Sequence, residues 1–214
     1  MHISTGSKAL DALLGGGVRT GMLTDVYGPA GSGKSQLCFT LCANCAREQK
    51  RVFFIDTAGT FRPERISEIA GNTDILDYIT VTRALGTRDQ IAALDRIDDA
   101  ALVVVDSLTS LFSAEYSGPS RHLAVMSHMH ELALLAINAP CAVVATNMVR
   151  AVPQENGKSI EREYLAATVS IQAHMRLKFA VENAAKSSYR ATLVQPPRDS
   201  AQFLISRSGI HDMD

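Results

Sequence analysis

Gly28-Pro29-Ala30-Gly31-Ser32-Gly33-Lys34-Ser35 is the stretch on which the fold turns. It has the glycine-x4-glycine-lysine-serine spacing of a phosphate loop, and its context fits: the apolar run 22–27 before it reads as a strand, and 34–48 after it reads as a helix. Glycines at these positions let successive backbone N–H groups turn inward around phosphate oxygens, and the start of the helix adds favourable partial charge. Lys34 is expected to reach the β and γ phosphates, with Ser35 ligating a metal through its hydroxyl. Gly28, Pro29, Ala30, Gly31, Ser32, Gly33, Lys34 and Ser35 are therefore the candidate nucleotide-binding residues, with ATP and Mg²⁺ as the ligands.

Working outward, strands and helices alternate. A short helix over 7–14, capped by Ser4 or Thr5, ends at Gly15-Gly16-Gly17. Strands are expected at 51–56, 78–82, 101–105 and 141–146, and helices at 63–70, 87–97 and 120–137. Short apolar runs separated by helices indicate a mostly parallel sheet flanked by helices on both sides. Beyond Tyr164 the pattern changes to strands at 169–179, 189–195 and 203–206, with turns at 183–188 and at Pro196-Pro197-Arg198, so an antiparallel C-terminal extension is expected. The strand Leu102-Val103-Val104-Val105-Asp106 ends in a carboxylate, the form of the second nucleotide motif, which makes Asp106 the partner of Ser35 at the metal.

Bulk properties narrow the field. A length of 214 residues with 46% hydrophobic and 20% charged residues suits one compact α/β domain over 1–214. The net charge of -1 provides no global basic field, so contact with nucleic acid has to be local. With no long apolar run and no leader pattern at the N-terminus, a cytoplasmic protein without a membrane partner is expected. Cys38, Cys42 and Cys45 recur on one helical face and read, with Cys141, as buried apolar side chains of a reducing compartment. His122, His128 and His130 lack the partners of a metal site.

Three further runs carry a family resemblance. These are Ile3-Ser4-Thr5-Gly6-Ser7-Lys8-Ala9-Leu10-Asp11 with Leu14-Gly15-Gly16-Gly17, then Phe54-Ile55-Asp56-Thr57-Ala58-Gly59-Thr60-Phe61-Arg62-Pro63-Glu64-Arg65, and Ser208-Gly209-Ile210-His211-Asp212 near the end. Together with Val105-Asp106-Ser107-Leu108-Thr109 and Val143-Val144-Ala145-Thr146-Asn147, they resemble the catalytic core of the RecA-type recombinases, in the archaeal RadA/RadB branch, over essentially the whole chain. The resemblance implies a RecA-like core without the N-terminal helical DNA-binding domain of the full recombinases. It is closest to the short RadB paralogues, accessory factors of recombination. Arg62 is then expected against the adenine ring.

Two departures fall at the chemistry. The family has a water-activating glutamate where Ala58 stands, and a phosphate-sensing glutamine where Met148 stands. A methyl group cannot take a proton, and a thioether cannot bond a phosphate as an amide does. No catalytic residue is therefore assigned; Glu64 and Glu115 are the nearest substitutes by sequence. The resemblance places DNA-facing loops at 113–121 and 150–164, offering Arg121, Arg150, Lys158 and Arg162 to phosphates, with glycines at 118 and 157. Between Arg150 and Arg190 there are 7 Lys or Arg against 4 Asp or Glu, a modest excess that a solvated basic face explains equally well. The expected partners are single-stranded DNA, a RadA-type recombinase and a second copy of the chain. Three functions compete: an ATP-binding recombination accessory in DNA repair with weak hydrolysis at most, a competent DNA-dependent ATPase, and a nucleotide-gated regulatory module that does not act on DNA.

Overall fold

The computed structural model describes residues 1–153 and 159–213. In chain order the elements are β1 (His2–Ile3), α1 (Lys8–Leu14), β2 (Val18–Arg19), β3 (Leu23–Gly28), α2 (Lys34–Arg47), β4 (Val52–Asp56), α3 (Pro63–Ala70) and β5 (Ile79–Arg83). There follow α4 (Thr87–Ala92), β6 (Leu102–Asp106), α5 (Ser110–Glu115), α6 (Gly118–Asn138), β7 (Ala142–Pro153), β8 (Ser159–Glu163), α7 (Ala166–Gln172), β9 (Met175–Asn183), β10 (Ser188–Gln195), β11 (Pro197–Ser206) and β12 (Gly209–His211).

The main sheet runs β12-β11-β10-β9-β3-β7-β6-β4-β5, with β8 paired to β7, while β1 and β2 form a small separate ribbon. From β9 to β5 the neighbours are parallel. From β9 to β12 they are antiparallel, as the C-terminal pattern implied.

Because successive side chains leave opposite faces of a strand, each central strand feeds two cores. Val52 and Phe54, Leu102 and Val104, and Ala142 and Val144 pack with α2 and α3 on one face. Phe53 and Ile55, Val103 and Val105, and Val143 and Ala145 pack with α5, α6 and α7 on the other. The three cysteines of α2 lie fully buried in the first core, where Leu37 and Leu41 join them. Each of those leucines contributes about 1.5–3 kcal/mol of burial.

Several boundaries differ from the sequence reading. Ser7, not Ser4 or Thr5, caps α1, its hydroxyl accepting from Leu10 N–H at 3.2 Å. The 87–97 helix stops at Ala92 and tightens into a 3₁₀ turn over Ala93–Arg96. Residues 169–172 belong to α7 instead of a strand: Val169 is buried against α6 while Ile171 is exposed, a placement set by tertiary packing that apolar alternation cannot reveal. The described parts of the two stretches expected as loops lie mostly in helices and strands. Residues 113–121 lie mostly in α5 and α6, and 150–153 of β7 pair antiparallel with 159–162 of β8, while 154–158 lie outside the described residues. No described helix is long and apolar enough to cross a membrane.

Candidate functional site

β3, β4, β6 and β7 deliver their C-terminal ends to one edge of the sheet, where ligands of open parallel sheets bind. β3 ends at Gly28, and the loop swings into α2 through Gly33, which sits at φ +94°. A side chain at Gly28 would meet the Phe179 backbone carbonyl at 2.3 Å, so crowding demands glycine there, while at Gly33 the φ of +94° does. No side chain caps the first turn of α2, which leaves its amides for an anion.

Lys34 folds back over the loop, its Nζ donating to the carbonyls of Gly28 at 2.8 Å and Pro29 at 2.9 Å. Burial lowers its pKa from the ordinary value, and the nearby Asp106 charge opposes that shift. Ser35 Oγ donates to Asp106 Oδ2 at 2.7 Å, and Thr146 Oγ1 donates to Asp106 Oδ1. A hydroxyl and a carboxylate drawn from α2 and β6 thus converge, and Thr146 from β7 orients the second oxygen. The Asp106–Ser107 peptide is cis. Ser32 Oγ is fully buried and has no hydrogen-bond partner among the described residues.

β4 ends at Asp56, in register with Asp106. Its carboxylate accepts from the amides of Ala58, Gly59, Thr60 and Phe61 at 2.8–3.3 Å and pairs with Arg83 at 3.1 Å. This rack of amides shapes the turn that presents Ala58, which is exposed. Of the two substitute carboxylates, Glu115 is engaged: it accepts from Thr87 through both oxygens, holding the start of α4. Glu64 stands exposed in the first turn of α3. Arg62 is also exposed; it donates to the Phe61 carbonyl at 2.9 Å and the Gly59 carbonyl at 3.3 Å. Met148 is aligned with Gly28 across β7 and β3, directly beside the phosphate loop.

Three of the four arginine and lysine candidates for DNA gather on one edge. Arg150 and Arg162 face each other across the β7–β8 pair, and Arg121 stands at the start of α6. Arg121 and Arg150 meet at Tyr164. Lys158 lies outside the described residues.

Sequence reasoning missed the polar chain behind this edge. Asn147 accepts from Thr109 Oγ1 at 2.7 Å and donates to Glu163 at 3.1 Å and to the Tyr164 carbonyl at 2.8 Å. Glu163 pairs with buried Arg176, which lies 3.6 Å from Asp25 and near the Tyr27 ring. Burial pushes the Asp25 carboxyl up to about 7, against the pull of Arg176. An aspartate inside the apolar strand 23–27 was the available signal for this cluster.

A family model described as Rad51 matches residues 1–213. The chain belongs to the Rad51 family. Among its relatives, the DNA repair and recombination protein RadA of Cenarchaeum symbiosum is 34% identical over 236 residues, covering 99% of this chain and 59% of the relative. RadA of Metallosphaera sedula is 35% identical, covering 99% of this chain and 72% of the relative. RadA of Aeropyrum pernix is 38% identical over 172 residues, covering 71% of this chain and 54% of the relative. The Rad51 family is RecA-like, and the mostly parallel sheet with its antiparallel extension is that fold.

Proposed function

We propose that this Rad51-family chain is an ATP-binding accessory of recombination, a RadB-like paralogue that assists a RadA-type recombinase in DNA repair on single-stranded DNA and hydrolyses ATP weakly or not at all. The observation that carries the reading is the contrast within one site. Ser35 and Thr146 hold Asp106 in an arrangement that suits a metal, while exposed Ala58 stands at the position that the resemblance gives to the family's base.

The residues suit Mg-ATP by their chemistry. An uncapped helix start, a lysine and a serine hydroxyl would suit a triphosphate, and a hydroxyl beside a carboxylate suits a hard cation. Mg-ATP would supply the charge that Lys34 and the α2 amides neutralise. Ala58 offers nothing to deprotonate water, and Glu115 is engaged by Thr87. A positioned general base supplies about 10²–10⁴ in rate, so binding survives and turnover falls by that order. ATP then acts as a ligand that stabilises one state of the protein, and the arginine edge contacts DNA phosphates locally.

The test measures ATP turnover with and without oligothymidylate in wild type and in Ala58→Glu. Slow wild-type turnover that rises in Ala58→Glu supports the reading. Fast DNA-stimulated turnover in the wild type replaces it with a competent DNA-dependent ATPase. A wild-type protein that binds ATP but no oligothymidylate, even at low salt, replaces it with a regulatory module that does not act on DNA.

A further inference from the structure

Tyr164 follows directly on β8 and is buried, yet it touches two of the arginines on the exposed edge. Arg121 Nη1 donates to its hydroxyl at 2.6 Å, and Arg121 Nε donates to the Tyr116 carbonyl at 2.6 Å, so this guanidinium is held at two points. Arg150 lies over the ring, its Cζ 3.7 Å from the centroid, and its Nη2 donates to Ser113 Oγ at 2.6 Å. One aromatic side chain therefore takes one guanidinium at its hydroxyl and another on its face. Two like charges drawn this close repel, and the ring's negative face and the hydroxyl lone pairs offset that cost.

The tyrosine itself is anchored to the nucleotide side. Its N–H donates to the Met148 carbonyl at 2.9 Å, and its carbonyl accepts from Asn147 Nδ2 at 2.8 Å. Asn147 follows Thr146, whose hydroxyl bonds Asp106. Each guanidinium has five N–H donors, of which, among the described residues, Arg121 spends two and Arg150 one on these contacts, and the others suit an anion.

The geometry points to Tyr164 as a positioning residue that fixes Arg121 and Arg150 as one preorganised pair for adjacent phosphodiesters of single-stranded DNA. This rests on the DNA-binding reading above and adds what makes the pair effective. Long arginine side chains lose rotamer freedom when they grip a phosphate; a ring that immobilises them beforehand removes most of that loss from the binding step. Charge and position then separate experimentally. Removing an arginine removes a neutralised phosphate and lowers the salt slope, whereas removing the ring leaves both charges present and lowers affinity alone.

The experiment is anisotropy of a fluorescein-labelled oligothymidylate over a salt series, for wild type, Tyr164→Leu, Tyr164→Phe, the double variant Arg121→Gln/Arg150→Gln, and each tyrosine change combined with that double variant. Tyr164→Leu is expected to weaken binding roughly 10-fold with an unchanged salt slope. Tyr164→Phe, which keeps the stack and loses only the hydroxyl, should fall between. Neither change should weaken binding further once both arginines are gone. Wild-type affinity in Tyr164→Leu overturns the proposal, and so does a loss that persists undiminished without the arginines. If Tyr164→Leu does not fold, judged by circular dichroism, the Tyr164→Phe cycle decides by the same criterion.

A readout without DNA keeps the two levels apart: the Arg150 Nε–H signal in a ¹H–¹⁵N spectrum should be shifted by the ring in wild type and return in Tyr164→Leu. Binding of oligothymidylate without that shift overturns the tyrosine's role alone. The shift without any binding overturns the DNA reading and the positioning role with it.

Discussion

In the proposed function Lys34 is the cation on which triphosphate capture would depend, and its present partners are two carbonyls of its own loop. Both are neutral acceptors, weaker for an ammonium than a phosphate anion is, so exchanging them for phosphate oxygens is favourable. Lys34→Ala removes the charge but keeps the glycine geometry. Titration calorimetry with Mg-ATP should show affinity reduced by roughly 100-fold or more, since a charge-assisted contact in a partly buried site is lost. Binding of near wild-type strength would move the site elsewhere. His128 is a second residue with a sharp consequence. It is buried on α6, its ring tilted against Phe112 with centroids 5.4 Å apart and its Nε2 3.2 Å from the Gln90 amide nitrogen, and burial depresses its pKa from 6.5 to about 4. The unfolded chain takes up this proton near pH 6.5 and the folded chain only near pH 4. Its contribution is therefore present above pH 6.5 and is lost as the pH falls towards 4, on the order of 3 kcal/mol in all. His128→Gln should flatten that part of the stability–pH curve in denaturant melts; an unchanged slope would refute the assignment.

At the scale of elements, the chain closes on itself through α1. Asp212, just after β12, accepts from Ser7 Oγ at 2.6 Å and from the amides of Lys8 and Ala9 at 3.1 and 3.0 Å. These hydrogen bonds, led by the one from Ala9, lower its pKa. The carboxylate thus satisfies free amides at the start of a seven-residue helix that could not stand alone. Asp212→Ala should cost about 1 kcal/mol, the usual worth of a helix cap, measured by urea unfolding. The loss should shrink at low pH as the carboxylate protonates in the wild type. A variant as stable as wild type at neutral pH would show that β12 alone secures the C-terminus.

At the scale of the molecule, ATP used as a binding ligand leaves a thermodynamic mark that needs no turnover. Ligand at about 100 times its dissociation constant stabilises a protein by about 2.7 kcal/mol, which for a domain of this size raises the melting temperature by roughly 5–10 °C. Scanning fluorimetry should show that rise with Mg-ATP in wild type and in Ala58→Glu, and not in Lys34→Ala. A rise in Ala58→Glu alone would mean that the native chain does not use the nucleotide as a ligand.

How much was legible in the sequence follows from the range of each interaction. The phosphate-loop pattern, the strand ending in Asp106 and the switch from parallel to antiparallel strands all rest on local spacing and local apolar pattern, which the chain carries in order, whereas the significance of Ala58 came from the family resemblance alone. What the sequence could not convey depends on residues far apart. Glu115 reads as a spare carboxylate until α4 is seen to bind it, and 169–172 reads as a strand until α6 is seen to bury Val169. Tyr164, Arg121 and Arg150 lie on three separate segments, and Asp25 reaches Arg176 only because β3 and β9 are neighbours in the sheet. Local pattern determined which elements form and where the proposed nucleotide site lies. The folded sheet alone decided which side chains meet, because burial and pairing at long separation are properties of the assembled core.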